Sequence, residues 1–168
     1  IEQARVGDVN NGGNIATNAS GTQSKSVKDF TMTFTGYGPA GKVEVGTFDT
    51  KSFTYAGLSE GGLPQNAVAT FDVRTVNTGK EGLNKHLCAD DFFMCEKFPE
   101  SKFVVTNVEQ VPGTSYIFSG NLTFMGTEKS ITFTANKIDG AFVGEFLLDI
   151  TSFNFKYVGV DPKVLIKF

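Results

Sequence analysis

The chain alternates apolar and hydroxyl residues at positions 30–35, which read FTMTFT. Successive side chains of a β-strand point to opposite faces, so this alternation predicts a strand with its Phe and Met side chains on one face. The same pattern of period two recurs along most of the chain, for example at residues 68–76, 102–111, 116–125 and 131–135. We therefore expect an all-β protein.

Turn signals separate these predicted strands. Glycine and proline punctuate the chain at residues 36–39, 61–64, 112–113 and 139–140. Short strands at this spacing are typical of a sandwich or an antiparallel up-and-down barrel. Several strands carry apolar residues on both faces, which favours a barrel, and about eight strands can enclose one slender ligand.

Length and charge narrow the class of protein. The 168 residues suit one domain, which we expect to span residues 1–168. The net charge of −3 provides no positive field for a phosphate backbone, so nucleic acid is not an expected partner. No apolar stretch reaches the length of about 18 residues that a transmembrane helix needs. The chain starts at Ile1 without Met, which we interpret as a processed protein or a module of a larger exported one.

The aromatic composition is unusual, with 17 Phe, 4 Tyr and no Trp. Two interpretations remain open, a Phe-rich core and an apolar cavity lined by Phe. Sugar-binding surfaces commonly stack sugar rings on exposed Trp or Tyr. The lack of Trp therefore argues against a carbohydrate-binding sandwich.

One segment breaks the strand pattern. Residues 83–94 do not alternate, and Leu83, Leu87 and Met94 recur at roughly helical spacing, which predicts a short helix. Pro99 closes this segment. The first 25 residues or so are rich in Asn, Gly, Ser and Thr, and we expect at most one strand there.

Two motifs carry a family resemblance. Residues 84–99 read NKHLCADDFFMCEKFP, and residues 120–129 read GNLTFMGTEK. These stretches resemble the signature and the hairpin of the YceI-like family, and the resemblance covers residues 68–157 well. It implies a lipocalin-like barrel with a short helix capping one end. It also implies a protein that binds polyisoprenoids or other amphiphilic chains, usually an exported bacterial one, hence periplasmic or secreted. We expect a long-chain polyisoprenoid as the ligand and no catalytic activity.

The resemblance also bears on the ligand's head group. Family members often carry an Arg in the late strand, and Ile150 stands at that position here. An anionic head would lose this partner, so a neutral isoprenoid quinone such as ubiquinone is favoured. No cofactor is expected besides this lipid.

Strand parity, together with the helix, gives the residues expected to line the ligand cavity. At 102–111, Phe103 and Val105 are expected opposite Val108. The head group is expected near a mouth closed by the helix around His86. The predicted ligand-binding residues are Phe30, Met32, Phe34, Phe71, His86, Phe92, Phe93, Phe103, Phe118, Phe124, Phe133, Phe142 and Phe146.

His86 is the only histidine, and it has three candidate roles. It can tie the helix to a neighbouring loop, contact a lipid head group, or join Cys88, Cys95 and nearby acids at a metal. The spacing matches no common zinc pattern, and zinc needs three or four protein ligands, so no metal is expected.

Cys88 and Cys95 are candidates for a disulfide. Along an unbroken helix they would be about 10 Å apart, from a rise of about 1.5 Å per residue. A disulfide needs Cα atoms within about 7 Å. The two cysteines can therefore pair only if the helix ends between them and the chain folds back.

The sequence offers little support for catalysis, since it has neither a nucleophile elbow nor a phosphate-binding loop. Two rival hypotheses remain. One is an accessory or carbohydrate-binding module of a secreted polysaccharide-degrading protein. The other is an enzyme that uses His86. A homodimer and fusion to other secreted modules are also open.

Overall fold

The computed structural model describes residues 1–9, 23–24, 30–60, 62–156 and 159–168. Strands dominate these residues, as expected, and single 3₁₀ turns occur at Pro39–Gly41 and Ile150–Ser152. The strands are β1 (Arg5–Gly7), β2 (Gln23–Ser24), β3 (Thr33–Tyr37), β4 (Val43–Tyr55), β5 (Gly57–Leu58), β6 (Pro64–Gln65), β7 (Val68–Asn77), β8 (Glu100–Gln110), β9 (Ser115–Phe124), β10 (Thr127–Ile138), β11 (Ala141–Val143), β12 (Glu145–Asp149) and β13 (Asp161–Lys167), and the helix is α1 (Glu81–Leu87).

Eleven of these strands form one antiparallel sheet. Nine of them follow the order β1-β10-β9-β8-β7-β4-β3-β13-β12, while β11 pairs with β10 and β2 pairs with β4. The two ends of this series meet through the backbone. The Ala4 amide donates to the Leu147 carbonyl, and the Leu147 amide donates to the Glu2 carbonyl, each at 2.9 Å. The sheet therefore curls into a nearly closed barrel, which confirms the predicted fold class.

The two ends of the barrel are built differently. The helix end carries α1, the β9–β10 turn at Met125 and Gly126, and the 3₁₀ turn after β12. The opposite end, the hairpin end, carries the β8–β9 and β10–β11 turns and the separate two-stranded hairpin of β5 and β6. Leu63 of this hairpin packs against the core. Among the described residues, no helix has the length and apolar character to span a bilayer.

A β-bulge in β8 changes one predicted face. Val105 pairs with Gly120, but Asn107 pairs with Ser119, so Thr106 is the extra residue. Because one inserted residue reverses the alternation, Val108 packs against the core together with Phe103 and Val105. The expectation that Val108 lies opposite these two residues is wrong.

Two other local expectations need correction. The helix ends at Leu87 and does not continue to Met94, which has a left-handed φ of 51°. The first 25 residues contribute two short strands, β1 and β2, because strands of three and two residues are too short to show a periodic pattern. Positions 10–22 of that predicted irregular entry lie outside the described residues.

Glycines make room for several Phe rings. Phe34 pairs directly with Gly46 across β3 and β4, and a Cβ at Gly46 would overlap the Phe34 ring. A Cβ at Gly120 would overlap the Phe103 ring and approach the Val104 carbonyl oxygen to 2.5 Å. These rings therefore fill space that a side chain on the neighbouring strand would occupy.

Replacing Gly120 by Ala tests this packing. The added methyl group meets a backbone oxygen as well as a ring, so we expect a loss of about 1–3 kcal/mol in the free energy of unfolding. Gly36→Ala is the control, since β3 leaves open space within 4 Å of a Cβ at that strand position. Urea unfolding of both variants measures the difference, and equal stabilities would contradict the packing role.

Candidate functional site

The Phe side chains are concentrated in the barrel interior and at its helix end. All 17 are buried or half-buried. Phe133 lies at the centre of the largest group, with ring centroids 4.5 Å from Phe146, 5.7 Å from Phe103 and 5.8 Å from Phe118. Phe142 joins this group through Phe118 at 5.2 Å. Five of the predicted ligand-binding residues thus share one apolar interior.

A second group of predicted residues closes the helix end. Phe93 is 7% exposed, and its ring lies 5.5 Å from Phe124, 5.8 Å from Phe92 and 6.1 Å from Phe34. Phe48 completes this contact set at 5.8 Å from Phe93. Phe93 therefore acts as an aromatic plug, and the rings around it leave this end of the barrel closed.

The remaining predicted residues lie apart from these groups. Phe30 stacks on Phe53 at 5.7 Å and meets the buried Phe71 at the same distance. Phe30 and Met32 also line an open depression of about 440 Å³ where the chain enters β3. Polar residues Thr47, Asp49 and Thr50 form its other side, so this site is less apolar than the interior.

A disulfide between Cys88 and Cys95 holds the plug in place. The S–S distance is 2.05 Å and the Cα atoms are 4.8 Å apart. The condition set by the sequence is met, because α1 ends at Leu87 and the Cys95 amide then donates back to the Cys88 carbonyl. Cys95 is buried, with its Sγ 3.4 Å from the Val73 carbonyl oxygen, so the loop is anchored on β7.

Side-chain contacts fix α1 against the barrel. The Asn84 amide oxygen accepts from the backbone amide of Thr78 at 2.8 Å and from its hydroxyl at 2.7 Å. Lys80, which precedes the helix, pairs with Glu44 of β4 at 2.7 Å. These bonds join both ends of the β7–α1 connection to the sheet and orient the plug that follows.

His86 lies on the outer side of this assembly. Its side chain is 46% exposed, and its Nε2 is 3.4 Å from an oxygen of Asp91. The imidazole also meets the edge of the Phe92 ring at 5.2 Å between centroids. These contacts tie the helix to the loop that follows it. Among the described residues, no three His, Cys, Asp or Glu side chains are grouped so that they could hold a metal ion.

Several apolar side chains of the core are only half-buried. They face inward by strand parity and pack against the buried core, and each keeps part of its surface exposed. This surface runs along two strands on different sides of the barrel. The side chains are Phe103, Val105 and Val108 on β8, and Val164 and Ile166 on β13.

A second open depression, of about 480 Å³, marks the seam of the barrel. Before Gly144, β11 pairs with β10, and after Gly144, β12 pairs with β13. The chain therefore leaves one neighbouring strand for the other at this residue. The depression there is lined by residues that include Thr134, Glu145 and Phe168. Behind it, the Phe168 ring contacts Phe133 at 5.3 Å, so only a thin wall separates the seam from the interior.

The ion pairs lie mainly on the outer surface. On β7, the Arg74 guanidinium donates to the Asp72 carboxylate and holds the pKa of that carboxyl below its usual value. Lys137 of β10 differs, because strand parity places it on the same face as the buried Phe133 and Ala135. Its Nζ lies 5.5 Å from the centroid of the Phe142 ring, at the hairpin end.

Several residues of the aromatic interior and of the barrel ends are absent from the predicted set of ligand-binding residues. Phe48, Phe53 and Phe168 all lie on faces that parity could have identified, but their strands show short or interrupted alternation. Phe153 and Phe155 follow a 3₁₀ turn, where no periodic signal exists. Lys137 is also absent from the predicted set, and charged residues on strands usually face solvent, so residue type gives no signal for its inward parity.

The fold and the site define a class of protein: a nearly closed antiparallel β-barrel with an aromatic interior and one disulfide-pinned end. A family model described as the YceI-like domain matches residues 14–168. The chain belongs to the YceI-like domain family, as the two sequence motifs predicted.

Curated relatives match part of the chain. A UPF0312 protein of Photorhabdus laumondii is 34% identical over 85 residues, which cover 50% of this chain and 42% of that protein. A UPF0312 protein of Shewanella denitrificans is 33% identical over 92 residues, covering 54% and 46%, respectively. The matched segment thus spans less than half the length of these relatives.

Solved structures share the fold. Burkholderia cenocepacia BcnA superposes with a TM-score of 0.71 at 19% identity, covering 85% of this chain and 96% of that one. A Saccharophagus degradans domain, described as a polyisoprenoid-binding domain implicated in plant cell wall breakdown, gives 0.63 at 14% identity, covering 88% and 94%. At these identities the similarity concerns the fold.

Removing the disulfide should loosen the helix end. We expect a Cys88→Ala/Cys95→Ala double variant to lose about 2–3 kcal/mol of unfolding free energy, from the entropy of a loop of this length. Thermal unfolding with and without a dithiol reductant measures the effect. The reductant should destabilise the original chain and leave the double variant unchanged. If full reduction leaves the thermal stability of the original chain unchanged, the disulfide does not stabilise the fold.

Proposed function

We propose that this chain binds a long-chain polyisoprenoid lipid inside its barrel and sequesters or carries it without chemical change. The observation that carries the proposal is the half-burial of apolar, inward-facing residues of β8 and β13. A flexible hydrocarbon tail is the kind of ligand that would pack between such apolar side chains.

The energetics support retention of such a tail. Burial of apolar surface contributes about 25 cal/mol per Å². A tail of several isoprene units offers on the order of several hundred Å², hence on the order of 10 kcal/mol before the losses from ordering the chain. No single side chain needs to be essential, because the contribution is spread over many apolar contacts.

Similarity to known proteins agrees with this proposal. The Saccharophagus degradans domain, which has the same fold, is described as binding polyisoprenoids. The match to the YceI-like domain covers most of the barrel. These similarities support the ligand class, and the residues that would contact it come from this chain's own interior.

We further propose an isoprenoid quinone, such as ubiquinone, as the ligand. Ile150 occupies the position where the family resemblance led us to expect Arg, and it is 5% exposed within the core. A quinone head has no net charge, so it does not need a cation at that position. Quinones and isoprenoid phosphates have the same tail chemistry, and their head groups distinguish them.

We also propose that the protein works in the periplasm or outside the cell. The Cys88–Cys95 disulfide supports this location, since disulfides persist in oxidising compartments. A carbohydrate-binding accessory role is less well supported. Every aromatic side chain that the structure describes is buried or half-buried, so this surface offers no exposed aromatic strip to a sugar.

Organic extraction tests the ligand directly. The purified chain should release a long-chain isoprenoid at close to one molecule per chain, because a buried tail dissociates slowly. Mass spectrometry of the extract identifies both the head group and the number of isoprene units. An extract without isoprenoid, from protein that also fails to take up an added one, would falsify the proposal.

A pair of neighbouring valines separates interior binding from surface adsorption. Val105 faces the interior and Val104 faces outward on the same strand. Val105→Trp should fill interior space and lower the lipid bound per chain by about fivefold or more, whereas Val104→Trp should leave it unchanged. Quantitative mass spectrometry measures the lipid and thermal unfolding verifies folding. Equal lipid in two folded variants would contradict an interior site.

A further inference from the structure

The interior at the hairpin end is polar in one place. On β10, inward-facing residues alternate from Ile131 through Phe133 and Ala135, and Lys137 continues this series. Phe142, which pairs with Lys137 across β10 and β11, packs its ring against Phe118 of the interior. The Lys137 ammonium over this ring therefore stands at the end of the apolar space.

Tyr116 adds a second polar group at the same place. Its ring meets Phe142 at 5.2 Å, so Tyr116 and Lys137 flank one aromatic side chain. Tyr116 is 7% exposed, and it pairs with Ala135 on the inward face of β9. Within the described part of the chain, neither the Lys137 ammonium nor the Tyr116 hydroxyl has an ion pair or hydrogen bond. No buried side-chain oxygen or nitrogen there lacks a partner, so the Tyr116 hydroxyl reaches solvent at this end of the barrel.

The hairpin of β5 and β6 reaches this polar pair. A Cβ built at Gly62 would lie 3.5 Å from the Lys137 Nζ, and the next residue, Leu63, packs on the core. The opposite end of the barrel is closed by Phe93 and its disulfide loop. A tail that fills the interior therefore has its polar head beside the hairpin.

We propose that Lys137 and Tyr116 form the head-group site of the bound lipid and select a terminal acceptor oxygen. The ammonium and the phenol hydroxyl are both donors, and an unpaired cation near apolar surface favours an oxygen acceptor. A quinone carbonyl and a phosphate monoester share this chemistry. The inference rests on the proposed isoprenoid binding and not on the choice of a quinone. It places the head at the end opposite both His86 and Ile150, so Lys137 rather than Ile150 faces the head group.

Three ligands with the same tail test the site. They are a ubiquinone with four isoprene units, geranylgeranyl monophosphate, and a linear hydrocarbon of four isoprene units without a head. Dissociation constants for the intact, lipid-stripped chain are compared for Lys137→Ala, Lys137→Arg and Tyr116→Phe. Lys163→Ala is the control, because Lys163 is an exposed lysine on the outer face of β13.

Lys137→Ala should weaken the phosphate by about tenfold or more and the quinone by about threefold to tenfold, as expected for lost charge-assisted hydrogen bonds. The hydrocarbon should bind within twofold of the original chain. Lys137→Arg should retain most of the affinity, Tyr116→Phe should cost both headed ligands about threefold, and Lys163→Ala should change none of them. Tighter binding of the phosphate than of the quinone by the original chain identifies an anionic head, and the reverse order identifies a neutral acceptor.

Two results would overturn the head-group site alone. One is an equal loss for all three ligands, which would show a general effect on the cavity. The other is unchanged binding of the headed ligands to Lys137→Ala. If the original chain binds none of the three ligands, isoprenoid binding itself fails and this site fails with it. Hydrocarbon binding by the original chain thus separates the two failures.

Discussion

The barrel depends on the pairing of Phe rings with glycines on neighbouring strands. Phe34 lies over Gly46, Phe103 over Gly120, and Phe168 beside Gly144. A ring needs more room than the pleat of a sheet provides, and a missing Cβ on the adjacent strand supplies it. The glycines thus let large rings turn inward without forcing the strands apart. The same arrangement leaves the interior apolar and aromatic.

The two ends of the barrel have different physical characters. At the helix end, aromatic rings and a covalent loop fix the chain, and Cys95 and Phe153 are almost completely buried. At the hairpin end, the closing element is a two-stranded hairpin outside the main sheet, with the exposed Leu58 on one side and Leu63 on the core. A short hairpin with few neighbours opens at lower free energy than a cross-linked loop. We therefore expect the hairpin end to open more readily than the helix end.

Much of the fold was accessible from sequence because the signal was local. Alternation at residues 116–125 and 131–135 placed Phe118, Phe124 and Phe133 on inward faces, and the structure buries all three. The period fails where one residue is inserted, which is why Val108 was assigned to the wrong face. The helix was predicted too long because spacing alone does not register the chain reversal that brings Cys95 back to Cys88.

The interior required information that no local pattern holds. Phe168 contacts Phe133 and Phe146 because its backbone bonds to Gly144, a residue far from it in the sequence. Lys137 belongs to an inward series by parity, yet a charged residue on a strand is normally assigned to solvent. Such positions become visible only when strand order and the neighbouring turns are known. Tertiary context, more than residue type, decides which side chains meet a ligand.

The residues beside the first strand close the barrel, and this affects the order in which the chain folds. Ala4 bonds to Leu147, so the last wall of the barrel joins residues from opposite ends of the sequence. Contacts with such large sequence separation form late, because the entropy of closing the intervening chain opposes them. The meander of β7 to β10 can pair earlier, since its turns are short. We therefore expect an open, aromatic-lined trough to form before the nearly closed barrel.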